Sequence, residues 1–159
     1  MNKLTKFIIS IFIPLTVGFV GSFFTMNSIS TWYIYLHKPF FTPPSWIFGP
    51  AWTALYIMMG ISLYIIWINP IKNKKMAFIT FGVQMFLNMI WSIIFFGFQS
   101  PLFAFIEIII LWISILLSII YFFKISKSAS YLLIPYILWV SFASILNFSI
   151  YYLNYLVIY

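Results

Sequence analysis

This sequence has no cysteine, one histidine and one acidic residue among its 159 residues. The lack of cysteine excludes disulfides, zinc–thiolate sites and thiol nucleophiles. A single histidine and a single carboxyl group argue against a metal centre, which needs several such ligands. There is also no pair of carboxyl groups and no Ser/His/Asp set, so the chain lacks the side chains of conventional acid–base and nucleophilic catalysis.

Apolar side chains dominate instead: 65% of the residues are hydrophobic, 24% are aromatic and only 6% are charged. This balance leaves too little polar surface for a soluble globule, so we expect an integral membrane protein whose main partner is the lipid bilayer. The formal net charge of +7 would suggest nucleic acid as a partner of a soluble protein. Here the lysines stand between apolar runs, so they report membrane topology and no nucleic-acid partner is expected.

Five apolar runs of about 20 residues, the length that crosses roughly 30 Å of hydrocarbon, predict five membrane helices. They cover about 7–26, 46–68, 76–98, 102–123 and 130–154. The predicted fold is therefore an all-α, five-transmembrane-helix bundle that forms a single domain over 1–159. The first run is longer than the apolar core of a secretory signal, so it is interpreted as a retained helix.

The lysines predict the orientation of this bundle. Seven of the eight lie in the N-terminal segment or in the loops at 70–75 and 124–129, and only Lys38 lies on the opposite side. Because positive charge concentrates on the cytoplasmic side, we expect a cytoplasmic N-terminus. The loop at 27–45 and the C-terminus are then extracytoplasmic.

The loop between the first two helices is stiffened by Pro39, Pro43 and Pro44. Proline fixes φ and lacks a donor N–H, so this stretch is extended or turned, and Ser45 is predicted to cap the second helix. An aromatic, proline-rich loop of this kind is typical of a lid over a binding site or of an interfacial aromatic belt. The residue types alone favour the belt.

Three blocks of sequence carry a family resemblance. Residues 32–60 read WYxxLxKPxxxPPxWxFGPxWTxLYxxMG, residues 84–97 contain QxxxNxxW followed by FFG, and residues 133–147 read LxPYxxWxxFAxxLN. These blocks resemble the motifs of the tryptophan-rich sensory protein / translocator protein (TspO/MBR) family. The resemblance implies a five-helix membrane bundle that binds porphyrins and related flat hydrophobic ligands under the first loop.

The resemblance also implies roles for individual residues. Trp52 and Trp139 correspond to the family's two pocket tryptophans, implicated in porphyrin binding and oxidative degradation, and are the candidate catalytic pair. No cofactor is required, and protoporphyrin IX or a haem-like molecule is the expected ligand. A lone His37 in the loop could bind a haem iron in principle, but we interpret it as an interfacial side chain.

A few polar side chains lie within the predicted helices, where they are costly. Glu107, the only acidic residue, should face the bundle interior, either in a structural hydrogen bond or in contact with ligand. Gln84 and Asn88 are four residues apart and share a helix face with Trp91. These polar side chains on one helix face are explained equally well by hydrogen bonds between helices and by a ligand-binding pocket.

The candidate ligand-binding residues are Trp32, Pro43, Pro44, Trp52, Gln84, Asn88, Trp91, Glu107, Trp139, Ala143 and Asn147. We expect Trp52, Asn88, Glu107 and Trp139 to line one cavity under the loop. Sterol binding has no support from the C-terminal segment, because no basic residue follows its tyrosines.

A homodimer is also expected, across an apolar face of the third helix that contains Phe81, Phe86 and Ile93, with Gly82 allowing close approach.

Three classes of function remain. They are a porphyrin-binding receptor that senses or transports its ligand, a light-dependent porphyrin-degrading enzyme, and a structural membrane protein without a ligand.

Overall fold

The computed structural model describes residues 2–157, which contain five helical spans long and apolar enough to cross a membrane. The helices are α1 (Lys3–Ile29), α2 (Phe48–Ile68), α3 (Lys75–Ser92), α4 (Pro101–Phe123), α5 (Lys127–Tyr131) and α6 (Ile134–Tyr151). Short 3-10 turns lie at Tyr33–Tyr35 and Ser45–Ile47, and π-helical turns at Ile93–Gly97 and Tyr152–Leu156 extend α3 and α6. The predicted all-α class with five membrane-spanning helices is confirmed.

Side-chain caps move two helix starts away from the expected positions. α1 begins at Lys3 because Asn2 Oδ1 accepts a hydrogen bond from the amide N–H of Thr5 at 2.8 Å. The fifth span begins at α5, where the Ser126 side chain accepts from the amide N–H of Ala129. The predicted cap at Ser45 is wrong: Pro44 precedes the 3-10 turn, and no side chain caps that turn. The carbonyl oxygens of Pro44 and Ser45 accept from the amide N–H groups of Ile47 and Phe48, so the backbone of the 3-10 turn already supplies acceptors at the start of the helix and no side-chain cap is needed.

The helices pack as a closed ring. α1 packs on α2 and α3, α4 packs on α3 and α6, and α5 joins α2 to α4. We call the end of the bundle that carries the 30–44 loop and the 98–100 turn the loop end, and the end that carries the 70–74 loop the lysine end. Many large apolar side chains on the outer faces are exposed, as a lipid-facing surface requires.

The interior is filled by side chains from all five spans, including Met59, Ile115 and Tyr136, which are fully buried. Phe81 belongs to this core, because it is buried and stacks on Phe122 at a ring-centroid distance of 5.8 Å. The expectation that Phe81 lies on an outer face of the third helix is therefore wrong. Phe86 on the same helix is exposed.

Two glycines bring α1 and α2 into close contact towards the lysine end. A Cβ on Gly60 would lie 2.8 Å from the backbone of Ser10 and Ile11, and a Cβ on Gly18 would lie 2.2 Å from the Tyr56 ring. Only a residue without a side chain allows helices to approach so closely in a membrane. This close contact between α1 and α2 ends at Tyr56, which also lines the cavity at the loop end.

The 30–44 loop covers the loop end and is held to α6. Asn154 Nδ2 donates to the carbonyl oxygen of His37 and its Oδ1 accepts from the His37 N–H, both at 2.9 Å. Phe41 packs against Phe142 of α6, and Tyr33 packs against Phe96. The loop is thus a fixed cover over the bundle.

Candidate ligand-binding site

A cavity of about 600 Å³ lies at the loop end, between α1, α2, the last turns of α3 and α6. Its volume falls within the range of roughly 300–1,000 Å³ that is typical of small-molecule sites. The lining residues are Leu15, Gly18, Phe19, Gly21, Ser22, Thr25, Met26, Ile29, Tyr33, Ser45, Trp46, Phe48, Gly49, Trp52, Thr53, Tyr56, Trp91, Ser92, Phe95, Phe96, Trp139, Ala143, Leu146, Asn147 and Ile150.

Aromatic rings form one wall of this cavity. Trp52 meets Trp139 edge to face at 6.5 Å and stacks on Tyr56 at 5.5 Å. Phe48 also meets Trp139 edge to face, at a ring-centroid distance of 6.1 Å. Mutual contacts of this kind hold the rings in place, and each ring pair adds about 0.5–1.5 kcal/mol beyond area burial. The wall therefore offers pre-arranged apolar faces to a flat molecule.

A hydrogen-bonded pair, Trp91 and Asn147, forms another part of the cavity lining. Trp91 Nε1 donates to Asn147 Oδ1 at 3.1 Å, and Asn147 Nδ2 donates to the Pro101 carbonyl oxygen at 2.8 Å. Trp91 also stacks on Phe95 at 5.2 Å. Asn147 thereby joins α3, α4 and α6 and orients the Trp91 ring along the cavity.

The predicted site residues separate into two groups. Trp52, Trp91, Trp139, Ala143 and Asn147 line the cavity. The remaining predicted residues, Trp32, Pro43, Pro44, Gln84, Asn88 and Glu107, are not among the residues that line it. The structure thus brings five predicted residues together and leaves six away from the cavity surface.

Asn88 lies behind the cavity wall. The Tyr56 hydroxyl donates to Asn88 Oδ1 at 2.7 Å, and Asn88 Nδ2 donates to the Tyr136 hydroxyl at 3.1 Å. All three side chains are buried. Asn88 therefore ties α2, α3 and α6 together, and it meets the cavity only through Tyr56, which lies on the cavity surface.

Gln84 and Glu107 are buried without partners. Within residues 2–157, neither amide atom of Gln84 and neither carboxyl oxygen of Glu107 has a hydrogen-bond partner. Gln84 is fully buried and Glu107 is 7% exposed. Both side chains face the bundle interior, as the sequence predicts for Glu107, but neither lies on the surface of the cavity.

The sequence reading missed the contribution of α1. Gly18, Gly21, Ser22 and Thr25 line the cavity. These small residues recur at helical spacing on one face of an otherwise bulky helix, and that spacing is the signal that could have found them. Tyr33 was missed as well; it enters the cavity from the loop.

No charged side chain appears among the lining residues, all of which belong to the described part of the chain. The nearest charge in the loop is Lys38, whose Nζ donates to the Ile34 and Leu36 carbonyl oxygens, both at 3.3 Å, and lies over the Tyr33 ring. Burial lowers the pKa of Lys38 and raises the pKa of Tyr33 to about 12. Tyr33 therefore stays a neutral phenol, and the cavity is uncharged.

Comparison with known proteins identifies the family of this chain. The family model of the TspO/MBR family matches residues 10–153. The tryptophan-rich protein TspO of Archaeoglobus fulgidus is 53% identical over 97% of this chain and 99% of its own length. The protein of the same name from Chlorobaculum tepidum is 46% identical over the same shares. The human translocator protein is 32% identical over 83% of this chain and 80% of its own length. With a match over nearly its full length and a membrane bundle of five spans, the chain belongs to the TspO/MBR family.

Proposed function

We propose that this protein is a membrane receptor that binds porphyrins and related flat hydrophobic ligands in the cavity at the loop end. The observation that carries the proposal is the uncharged cavity of about 600 Å³ with Trp52 and Trp139 on one wall. Rings held by their neighbours lose little freedom when a flat molecule stacks on them, which favours binding. Relatives named as a sensory protein and as translocator proteins support a role in sensing or transport.

Titration of the purified protein with protoporphyrin IX in the dark tests this function, with tryptophan quenching as the readout. Ala143→Phe places a ring in the cavity and should weaken binding at least about tenfold, or about 1.4 kcal/mol. Ala54→Phe makes the same change at an exposed position that does not line the cavity, so its affinity should stay at the wild-type value. Wild-type protein that is not quenched would favour the structural function without a ligand.

A second candidate function is light-dependent oxidative degradation of the bound porphyrin. The edge-to-face contact of Trp52 and Trp139 on the cavity wall favours it, because a bound macrocycle would touch both indoles. An indole is far easier to oxidise than a phenyl ring. No conventional acid, base or nucleophile lines the cavity, so any such chemistry depends on the tryptophans.

We also propose that the lysine end faces the cytoplasm, which makes the N-terminus cytoplasmic and the C-terminus extracytoplasmic. The 70–74 loop, the start of α1 and the α4–α5 connection meet at this end. Together with Lys75 at the start of α3 and Lys127 at the start of α5, they carry seven of the eight lysines, which supports the orientation.

A homodimer across α3 is the last part of the proposal. Ile79, Val83 and Phe86 are exposed along this helix. A Cβ on Gly82 would meet nothing within 4 Å, so a second helix has room to approach there.

A further inference from the structure

The cavity has an opening on the side of the bundle, between α1 and α2. Phe19 and Met26 of α1 line the cavity, yet they are 64% and 72% exposed. Across from them, Trp46 is 73% exposed, and Gly49 and Thr53 of α2 are exposed as well. Residues that border a cavity and also reach the outer surface form the rim of an opening. We call this opening, edged by these five residues, the side opening.

The packing of α1 and α2 explains why the opening lies there. The two helices are antiparallel, and their close contact ends where the Tyr56 ring covers Gly18. Towards the loop end, α2 presents Thr53 and then Gly49, one turn apart. A Cβ on Gly49 would meet nothing within 4 Å, so this position leaves space where a larger residue would close it. The opening therefore depends on small residues of α2.

The loop end, by contrast, is covered. Two hydrogen bonds of 2.9 Å join the Asn154 side chain to the backbone of His37, and Phe41 rests on Phe142. A ligand that entered through the loop would have to break both hydrogen bonds and this ring contact. A ligand that entered through the side opening would break none of them.

Three hydroxyl groups near the side opening already donate within their own helices. Ser22 Oγ donates to the Phe19 carbonyl oxygen at 2.6 Å, and Thr53 Oγ1 donates to the Gly49 carbonyl oxygen at 2.9 Å. Thr25 Oγ1 donates within α1 in the same way. With these hydroxyl protons turned back onto their own helices, the rim presents a largely apolar edge. A charged group would lose hydration there without compensation.

We propose that flat, uncharged molecules dissolved in the bilayer enter and leave the cavity through the side opening, while the 30–44 loop stays attached to α6. This inference rests on the proposed binding function and adds the route and the charge of the ligand: porphyrins whose carboxyl groups are esterified or protonated should exchange by this route faster than the propionate form. The ligand comes from the leaflet at the loop end, and not from the water above the loop. Gly49 and Thr53 set the size of what can pass.

The test follows the exchange of protoporphyrin IX dimethyl ester, an uncharged porphyrin, between lipid vesicles and full-length protein in proteoliposomes. Stopped-flow tryptophan quenching gives the association and dissociation rate constants. Gly49→Phe should lower both rate constants at least about tenfold, because a barrier on the route slows entry and exit alike. Thr53→Phe is a second variant at the rim and should act in the same direction.

Two controls define the result. Ala54→Phe puts the same ring at an exposed position of α2 that does not line the cavity, so exchange should stay at the wild-type rate. Asn154→Ala removes both hydrogen bonds between the loop and the end of α6, and exchange should again be unchanged.

Faster exchange in Asn154→Ala, together with wild-type exchange in both Gly49→Phe and Thr53→Phe, would assign the route to the loop and overturn the proposal. A weaker affinity that comes from faster dissociation alone in both rim variants would overturn it too, because the added rings would then occupy the binding space. Wild-type protein that shows no quenching would refute the binding function itself. Quenching with unaffected rates in both rim variants would refute only the entry route.

Discussion

Replacing Asn88 by leucine separates a structural role of this amide from a role in binding. Asn88 accepts from the Tyr56 hydroxyl and donates to the Tyr136 hydroxyl, and all three side chains are buried. Leucine has a similar volume but can make neither hydrogen bond. Because the side chain does not line the cavity, we expect the loss in the free energy of unfolding and not in ligand affinity.

The magnitude follows from the two lost hydrogen bonds. Side-chain hydrogen bonds between membrane helices contribute on average about 0.6 kcal/mol and at most about 1.7 kcal/mol each. Asn88→Leu should therefore lower the free energy of unfolding by about 1–3 kcal/mol, with the upper part of this range reached if both hydroxyls stay unpaired. The dark affinity for protoporphyrin IX should change by less than about threefold, or about 0.7 kcal/mol.

Gln84→Leu is the matched control, one helical turn away on the same face of α3. Neither amide atom of Gln84 has a hydrogen-bond partner within the described residues, so leucine removes a buried polar group and breaks no contact. We expect an unchanged or higher free energy of unfolding, since burying an unpaired amide costs roughly 1–3 kcal/mol. The two variants should thus differ in sign or by more than about 1 kcal/mol.

Unfolding in mixed detergent micelles, followed by the fluorescence of the seven tryptophans, measures both variants under the same conditions. Equal losses in Asn88→Leu and Gln84→Leu would refute the reasoning, because Gln84 would then have a partner as strong as those of Asn88. So would wild-type stability in Asn88→Leu combined with a large loss of affinity, which would show that the amide acts on the ligand.

Three further predictions concern chemistry, orientation and assembly. Trp139→Phe should keep porphyrin affinity within about tenfold of the wild-type value, while the light-dependent loss of porphyrin absorbance falls much further. Trp112→Phe, at a position outside the cavity lining, should change neither quantity. Degradation at the wild-type rate in Trp139→Phe would show that the Trp139 indole takes no part in the chemistry. In intact cells, an impermeant thiol reagent should label His37→Cys and spare Asn73→Cys, and the reverse pattern would invert the proposed orientation. Gly82→Ile should convert a dimer into a monomer by native mass measurement in nanodiscs, whereas a strictly monomeric wild-type protein would remove the dimer.

The sequence determined the class of protein and the order of its elements. Long apolar runs without charge can be satisfied only by helices in a membrane, and the lysine-bearing gaps between them mark the ends of those helices. Because short connections join neighbouring spans, the chain order also puts the 30–44 loop, the 98–100 turn and the C-terminal end of α6 at one end of the bundle. The family motifs in addition pointed to Trp52 and Trp139, both of which line the cavity.

The rotation of each helix about its axis was decided only by tertiary packing. Because the helices are apolar on nearly all sides, they have no polar face that shows which side turns inward. The sequence could therefore put Gln84, Asn88 and Trp91 on one face of α3, but it could not predict which residues that face contacts. In the structure, Trp91 reaches the cavity, whereas Asn88 is taken by two tyrosines and Gln84 lies in the core. For the same reason the sequence did not predict that Phe81 is buried against Phe122. Nor did it predict that α1 contributes to the cavity, because its small residues border the cavity only where Gly18 and Gly60 set how closely α1 and α2 approach. Depth in the membrane follows from counting residues along the chain, but the partner of each side chain depends on contacts between distant segments.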